Sequence, residues 1–283
     1  MNIQTQKKKA EALLSLHTNG KLLVLPNIWN PIGARILESK NFPAVATASA
    51  AVAASLGYAD GEKIKRSTLI DIITRIAQCV DVPVTVDIES GYGATISALE
   101  ETILQVIESG VVGINIEDSL QEGGALRSAG EQCERIALVR NIADTKGIPL
   151  VINARIDSFL TNSLKTKEEQ MEDAVLRAVS YSKAGADCLY PIGPGDKETL
   201  LALRGRISSP INALASAAAA PLSVLHEVGI NRVSFGPFIF RSCLKKFEGI
   251  VSGLNTFESY ACFSEETMAS DEVSAYLSSV AER

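Results

Sequence analysis

The sequence predicts a single (β/α)8 barrel over residues 1–283, on three observations. Eight short apolar runs alternate with segments of helical periodicity, glycine or proline punctuates the joints between them, and 283 residues suffice for one α/β barrel with helix to spare.

The chain opens on Lys7-Lys8-Lys9 and then Ala10-Glu11-Ala12-Leu13-Leu14. Glu11 interrupts what would be the apolar centre of a leader peptide, so about residues 1–20 read as an amphipathic helix with solvated lysines. The eight runs are Leu22–Leu25, Ala44–Ala48, Val84–Ile88, Gly113–Ile116, Leu150–Ala154, Cys188–Pro191, Ile211–Leu214 and Arg232–Phe235. Continuous runs rich in β-branched residues suit strands buried on both faces of a parallel sheet. Between them, Leu69, Ile72, Ile73, Ile76 and Val80 recur at helical steps, and Thr95–Glu108, Glu131–Lys146 and Glu168–Lys183 repeat the pattern. Gly110, Gly147, Gly185 and Gly229 stand where helices should end. Past Gly253 the chain outruns an eighth helix. Phe257, Tyr260, Phe263, Met268, Val273 and Tyr276 give the extension, about 252–283, more apolar surface than a solvated tail carries. It is expected to cover either its own barrel or a neighbouring subunit of a homo-oligomer.

Composition narrows the function. Hydrophobic content of 46% and charged content of 21% are those of a folded soluble protein. A net charge of −6 speaks against nucleic acid or an anionic membrane as partner. An anionic substrate remains compatible, because a dication and an arginine can invert the local field. No apolar run approaches the ~20 residues of a membrane span. Five cysteines, an odd number without a C-x-x-C pair, suit a reducing cytoplasm. The two histidines, His17 and His226, fall at no strand end, which argues against a histidine triad or a histidine-rich metal site.

In such barrels chemistry gathers where strands end. The third run ends in Asp87-Ile88-Glu89-Ser90-Gly91-Tyr92-Gly93, the fourth in Glu117-Asp118 and the fifth in Arg155-Ile156-Asp157, and Asp60 follows the second. Asp87 and Glu89 would share one side of a regular strand. Converging carboxylates repel unless a cation joins them, and hard oxygen donors favour Mg2+ or Mn2+ over zinc. Taken singly, Glu117-Asp118 also fits a helix N-cap, Arg155 and Asp157 a structural ion pair, and Gly91-Tyr92-Gly93 a plain loop turn.

The strings that carry these residues resemble the isocitrate lyase/phosphoenolpyruvate mutase superfamily: Leu25-Pro26-Asn27-Ile28-Trp29-Asn30, Leu56-Gly57-Tyr58-Ala59-Asp60-Gly61, Val86-Asp87-Ile88-Glu89-Ser90-Gly91-Tyr92-Gly93, Asn115-Ile116-Glu117-Asp118, Asn153-Ala154-Arg155-Ile156-Asp157 and Val233-Ser234-Phe235-Gly236-Pro237. The resemblance implies an Mg2+ site (Mn2+ as the alternative) with Asp87 as direct ligand and Asp60, Glu89 and Glu117 reaching the ion, often through water. It further implies backbone donors at Ser49 and Ala50 for a substrate carboxylate, Arg155 steadying an enolate, Trp29 and Asn212 lining the substrate, and oligomers that swap C-terminal helices, a dimer or tetramer. The loop after Asp118, Ser119-Leu120-Gln121-Glu122-Gly123-Gly124-Ala125-Leu126-Arg127-Ser128, lacks the cysteine and histidine of the lyases and the phosphoryl-holding Lys and Asn of the mutases. Glu122 and Arg127 are its candidates for proton handling. Such a site suits lyase, decarboxylase or hydrolase chemistry on an oxaloacetate-like 2-oxo or 2-hydroxy acid. The alternatives are a phosphoenolpyruvate or phosphonopyruvate mutase or hydrolase, and a metabolite-binding barrel without catalysis.

Overall fold

The computed structural model describes residues 2–120, 124–161, 163, 166–255 and 267–278. Its strands are β1 (Leu23–Leu25), β2 (Asn27–Ile28), β3 (Val45–Thr47), β4 (Val84–Asp87), β5 (Gly113–Glu117), β6 (Val151–Ile156), β7 (Cys188–Pro191), β8 (Asn212–Leu214) and β9 (Arg232–Ser234). Every pairing is parallel, in the orders β2-β3-β4-β5-β6-β7 and β1-β9-β8. Two seams join the sheets into a ring of eight staves. One is the run from Leu23 to Ile28, which pairs with β9 through β1 and with β3 through β2. Pro26 separates the halves, and having no N–H it cannot continue the ladder. The other is a single parallel bridge between Leu189 and Ile211.

The helices are α1 (Ile3–Thr18), α2 (Pro31–Ser39), α3 (Ser49–Ser55), α4 (Arg66–Cys79), α5 (Ile96–Glu108), α6 (Ala129–Lys146), α7 (Lys167–Lys183), α8 (Lys197–Arg204), α9 (Leu222–Val228), α10 (Phe238–Asn255) and α11 (Ser270–Ser278). Helices α6 and α7 begin a residue or two before the predicted segments, because Ser128 with Glu131 and Thr166 with Glu169 form reciprocal capping boxes. Gly147 and Gly229 end α6 and α9 in the left-handed conformation expected of them. Helix α3 lies in the long second βα connection, where the sequence showed no helical period.

Helix α1 closes the N-terminal end of the barrel. Leu13 is fully buried, and a Cβ on Gly113 would lie 2.7 Å from its Cδ2. Gln6 seats the helix by donating to the carbonyls of Ile107 (2.7 Å) and Val111 (3.1 Å). His17, also on α1, pairs its Nδ1 with the Leu13 carbonyl at 2.8 Å, and burial pushes its pKa down to about 4. With that end sealed by one apolar cluster, the opposite end carries the open cavity.

Within the C-terminal extension, α11 packs on α2 of the same barrel. Phe257, Tyr260 and Phe263 lie outside the described residues. Helix α10 buries Phe240 and leaves Leu244, Phe247, Val251 and Leu254 exposed along one stripe. No helix among the described residues is long and apolar enough to cross a membrane.

Candidate active site

The strand ends surround a cavity of about 220 Å3. Ser49, Ala50, Asp60, Asp87, Arg155 and Asn212 are all in its wall, so the third, fifth and seventh staves and the connection after the second converge there. The wall carries no Lys, His or Cys among the described residues.

Asp87, the last residue of β4, is the hub. Its Oδ2 accepts from the Ser49 N–H (3.2 Å) and Ser49 Oγ (2.9 Å), and its Oδ1 from the Glu89 N–H (3.1 Å) and Asn115 Nδ2 (3.0 Å). Three successive staves are thereby tied to one carboxylate. Asp60 belongs to an exposed loop, but its carboxyl turns into the cavity toward Ser49; desolvation and then Asp87 raise its pKa.

Glu89 does not share the side of a regular strand with Asp87. The strand stops at Asp87, and Glu89 takes a left-handed backbone, φ 52°. That conformation turns its side chain to the second βα loop, where it accepts from the N–H groups of Gly61 (2.8 Å) and Glu62 (2.5 Å) and from the Tyr92 hydroxyl (3.1 Å). Glu89 therefore clamps the loop that carries Asp60, and it is absent from the cavity wall. Burial, with Asp87 and Asp60 nearby, pushes its pKa up to about 7. Tyr92 and Glu62 are also left-handed, so three bulky residues store backbone strain beside the cavity.

Arg155 on β6 lines the cavity and is also held in an ion-pair network. Its Nε and Nη2 grip Asp157 at 2.7 Å each, and its Nη1 meets Glu117 at 2.7 Å. Burial opposes the arginine's charge, but Glu117 and Asp157 more than reverse this and hold its pKa well above the usual value. Burial raises the Glu117 carboxyl, against the pull of Arg155. Glu117 ends β5 and caps no helix; it accepts from Ser119 Oγ at 2.6 Å. Its neighbour Asp118, fully buried, accepts from the Tyr181 hydroxyl (2.7 Å), Arg177 Nη1 (3.1 Å) and the Asp157 N–H (3.0 Å). That network fixes both ends of the following loop, since the Arg127 N–H returns to the Asp118 carbonyl at 2.8 Å.

Four described candidates are absent from the cavity wall: Glu89 and Glu117, held in the contacts above, and Trp29 and Arg127. Trp29 packs its ring edge-on against Phe240, centroids 5.0 Å apart, beside Ala48 and Ala51. It stiffens the floor behind the Ser49 turn instead of lining the substrate space, because its flat apolar face finds a complete aromatic partner there. Arg127 is likewise absent from the wall, with its Nε buried. Glu122 lies outside the described residues.

The sequence reading missed a polar layer inside the barrel. Asn27, Thr47, Asn115, Tyr190, Arg232 and Ser234 line the cavity with Asp87 and Asn212. Asn115 takes a bond from Asn153 Nδ2 (2.8 Å), and Asn212 Nδ2 donates to Ser234 Oγ (3.0 Å). The available signal was the asparagine at alternate positions of otherwise apolar strands, Asn115 and Asn153 among them.

The donor set is hard oxygen throughout. Glu89, Asp60 and Glu117 each feel Asp87 as a repelling charge in a poorly solvated site, which is the electrostatic condition a dication relieves. No three acidic, His or Cys side chains among the described residues stand close enough to enclose an ion. Mg2+ is commonly held by one or two carboxylates and keeps several waters. Asp87 and Asp60, both in the wall, are the residues able to hold it.

Comparison with known proteins agrees with this geometry. Residues 13–254 match the family model for phosphoenolpyruvate phosphomutase. A 2-methylisocitrate lyase of Aeropyrum pernix is 28% identical over 235 residues, covering 81% of this chain and 74% of that protein. Oxaloacetate decarboxylase 1 of Pseudomonas putida is 27% identical over 203 residues, 71% of this chain and 68% of that protein. A crystal structure from Burkholderia cenocepacia J2315, assigned provisionally as a phosphonomutase, superposes with a TM-score of 0.82 at 35% identity, over 87% of this chain and 98% of that one. The chain belongs to the phosphoenolpyruvate phosphomutase family, within the isocitrate lyase/phosphoenolpyruvate mutase superfamily of (β/α)8-barrel enzymes.

Proposed function

We propose that the protein is a divalent-metal-dependent lyase, decarboxylase or hydrolase that breaks a carbon–carbon bond in an oxaloacetate-like acid through an enolate. The observation that carries this reading is one small cavity in which Asp87 and Asp60 face the guanidinium of Arg155, with no Lys, His or Cys in its wall among the described residues. Held there, Mg2+ would supply Lewis-acid polarisation of the substrate's carbonyl oxygen. Arg155, kept charged and immobile by Glu117 and Asp157, offers a preorganised positive field to the oxygen on which negative charge develops. Ser49 and Asn115 orient the Asp87 carboxylate. The polar layer of Asn212, Ser234 and Tyr190 supplies donors for the rest of a small acid. Oxaloacetate decarboxylase 1 is a relative whose named reaction needs little more than such an enolate sink.

The test is a turnover screen of oxaloacetate, its 3-alkyl analogues, 2-methylisocitrate and phosphonopyruvate. Turnover of an oxaloacetate-type acid is expected, lost on chelation and recovered on adding Mg2+ or Mn2+. Turnover of phosphonopyruvate alone would move the assignment to phosphonate chemistry, the second reading, which the Burkholderia cenocepacia structure favours. If no acid turns over and pyruvate fails to exchange its methyl protons with solvent, the barrel is a binder.

We further propose that the protein is a homo-oligomer of dimer or tetramer size. The stripe of Leu244, Phe247, Val251 and Leu254 on α10 is apolar surface of the kind a second copy covers. Phe247→Glu combined with Leu244→Glu is expected to reduce the mass in solution, read by light scattering. An unchanged mass would place the contact elsewhere.

A further inference from the structure

The cavity holds a second buried guanidinium that the reaction outlined above does not use. Arg232 opens β9, beside Asn212 of β8, and is only 3% exposed, yet it contributes to the cavity wall. Its Nε and Nη1 are buried and have no hydrogen-bond partner among the described residues. The contrast with Arg155 is sharp. All three nitrogens of Arg155 are engaged by Glu117 and Asp157, whereas the acid nearest in effect to Arg232 is Asp87, which acts at a distance, with Cys188, Tyr190 and, from α1, His17 the other titratable groups that feel it. Arg241, the third arginine of the wall, is exposed at the mouth over the ring of Phe238, where solvent screens it. Of the cationic groups in the cavity, Arg232 is therefore the one that is both desolvated and unpaired.

A charge taken out of water without a partner works against folding, and a guanidinium is shaped to accept a carboxylate on two parallel bonds. Around it the wall offers the neutral groups of Tyr190, Asn212 and Ser234, with Asp87 the acid nearest in effect. We propose that Arg232 is a specificity residue that pairs with a second acid group of the substrate, so that the site selects diacids over monoacids. This rests on the reading of the cavity as an acid site. One end of the bound molecule lies at Asp87 and Arg155, and the other carboxylate points to the barrel axis and meets Arg232.

The experiment compares L-malate with L-lactate, two 2-hydroxy acids that differ by the terminal carboxylate. Binding to the full chain is measured by calorimetry with Mg2+ present. The parent is expected to favour malate by about 10- to 100-fold, the range of one hydrogen bond to a charged group. In Arg232→Met that preference should vanish through weaker malate binding, with lactate unchanged, and Arg232→Lys should recover part of it. Both Arg232→Met and Arg232→Gln are expected to melt at or above the parent's temperature, since each removes an unpaired buried charge. A parent without preference for malate overturns the proposal, as does an Arg232→Met protein that keeps the parent's ratio. Failure of both neutral variants to fold would show an internal partner for the guanidinium and would overturn it too. Turnover of oxaloacetate with an unchanged ratio leaves the lyase reading intact and removes Arg232 from it. A lost preference in a protein that turns over no acid does the reverse.

Discussion

Asp87→Ala is expected to lower turnover of every acid the parent processes by about 10²- to 10³-fold or more, the scale of losing a principal electrostatic stabiliser of the transition state. The carboxylate ties the Ser49 turn, the end of β4 and Asn115 of β5 together, so its loss unmakes the alignment of the site as well as its charge. Fold stability should change far less. Four hydrogen bonds disappear, but Asp60, Glu89 and Glu117 lose a common source of repulsion. Steady-state kinetics read beside a thermal melt separates the two effects. A variant with parental melting and parental kcat would show that Asp87 is a structural knot without a part in chemistry.

Arg155→Met should be the more damaging change overall, because it strikes stability and activity together. Removing the guanidinium strands two acids, Glu117 and Asp157, both largely buried and both within 2.7 Å of it. Breaking a buried ion pair by deleting one partner costs about 3–5 kcal/mol. For a domain of this size that is a fall of roughly 10 °C in melting temperature. Turnover should fall by about 10²- to 10³-fold. Arg155→Lys keeps a charge but cannot grip Asp157 through two parallel bonds, and is expected to recover stability more than rate. Adding Glu117→Gln and Asp157→Asn to Arg155→Met is the decisive control. The melt should recover, since no stranded acid remains, while turnover stays low. Recovery of both would assign Arg155 to the scaffold alone.

The two arginines show how unevenly a sequence reveals a site. Arg155 was legible because it stands two residues from an aspartate at the end of an apolar strand. Arg232 lay at the start of the run Arg232-Val233-Ser234-Phe235, and nothing local marks it as facing the cavity. Glu89 is the converse case. Its spacing from Asp87 is right for a shared face, but the rule of alternation lapses where the strand stops, and a left-handed backbone at Glu89 sends the carboxylate to Gly61 and Glu62. Trp29 was placed by its position in a motif, and its ring is claimed by Phe240, a residue more than two hundred positions away.

The sequence by itself determined the β-α alternation, the glycine-closed ends of several helices and the acids that close the strands, since periodicity, capping glycines and strand-terminal charges are properties of neighbours along the chain. Only the tertiary structure decided which of those acids share a cavity and which hold a loop, and that a second guanidinium joins them. Those outcomes depend on the sign of one backbone angle and on the closing of β9 against β1 and β8, which brings distant residues into a space poorly supplied with water, where each charge must find a partner or remain costly.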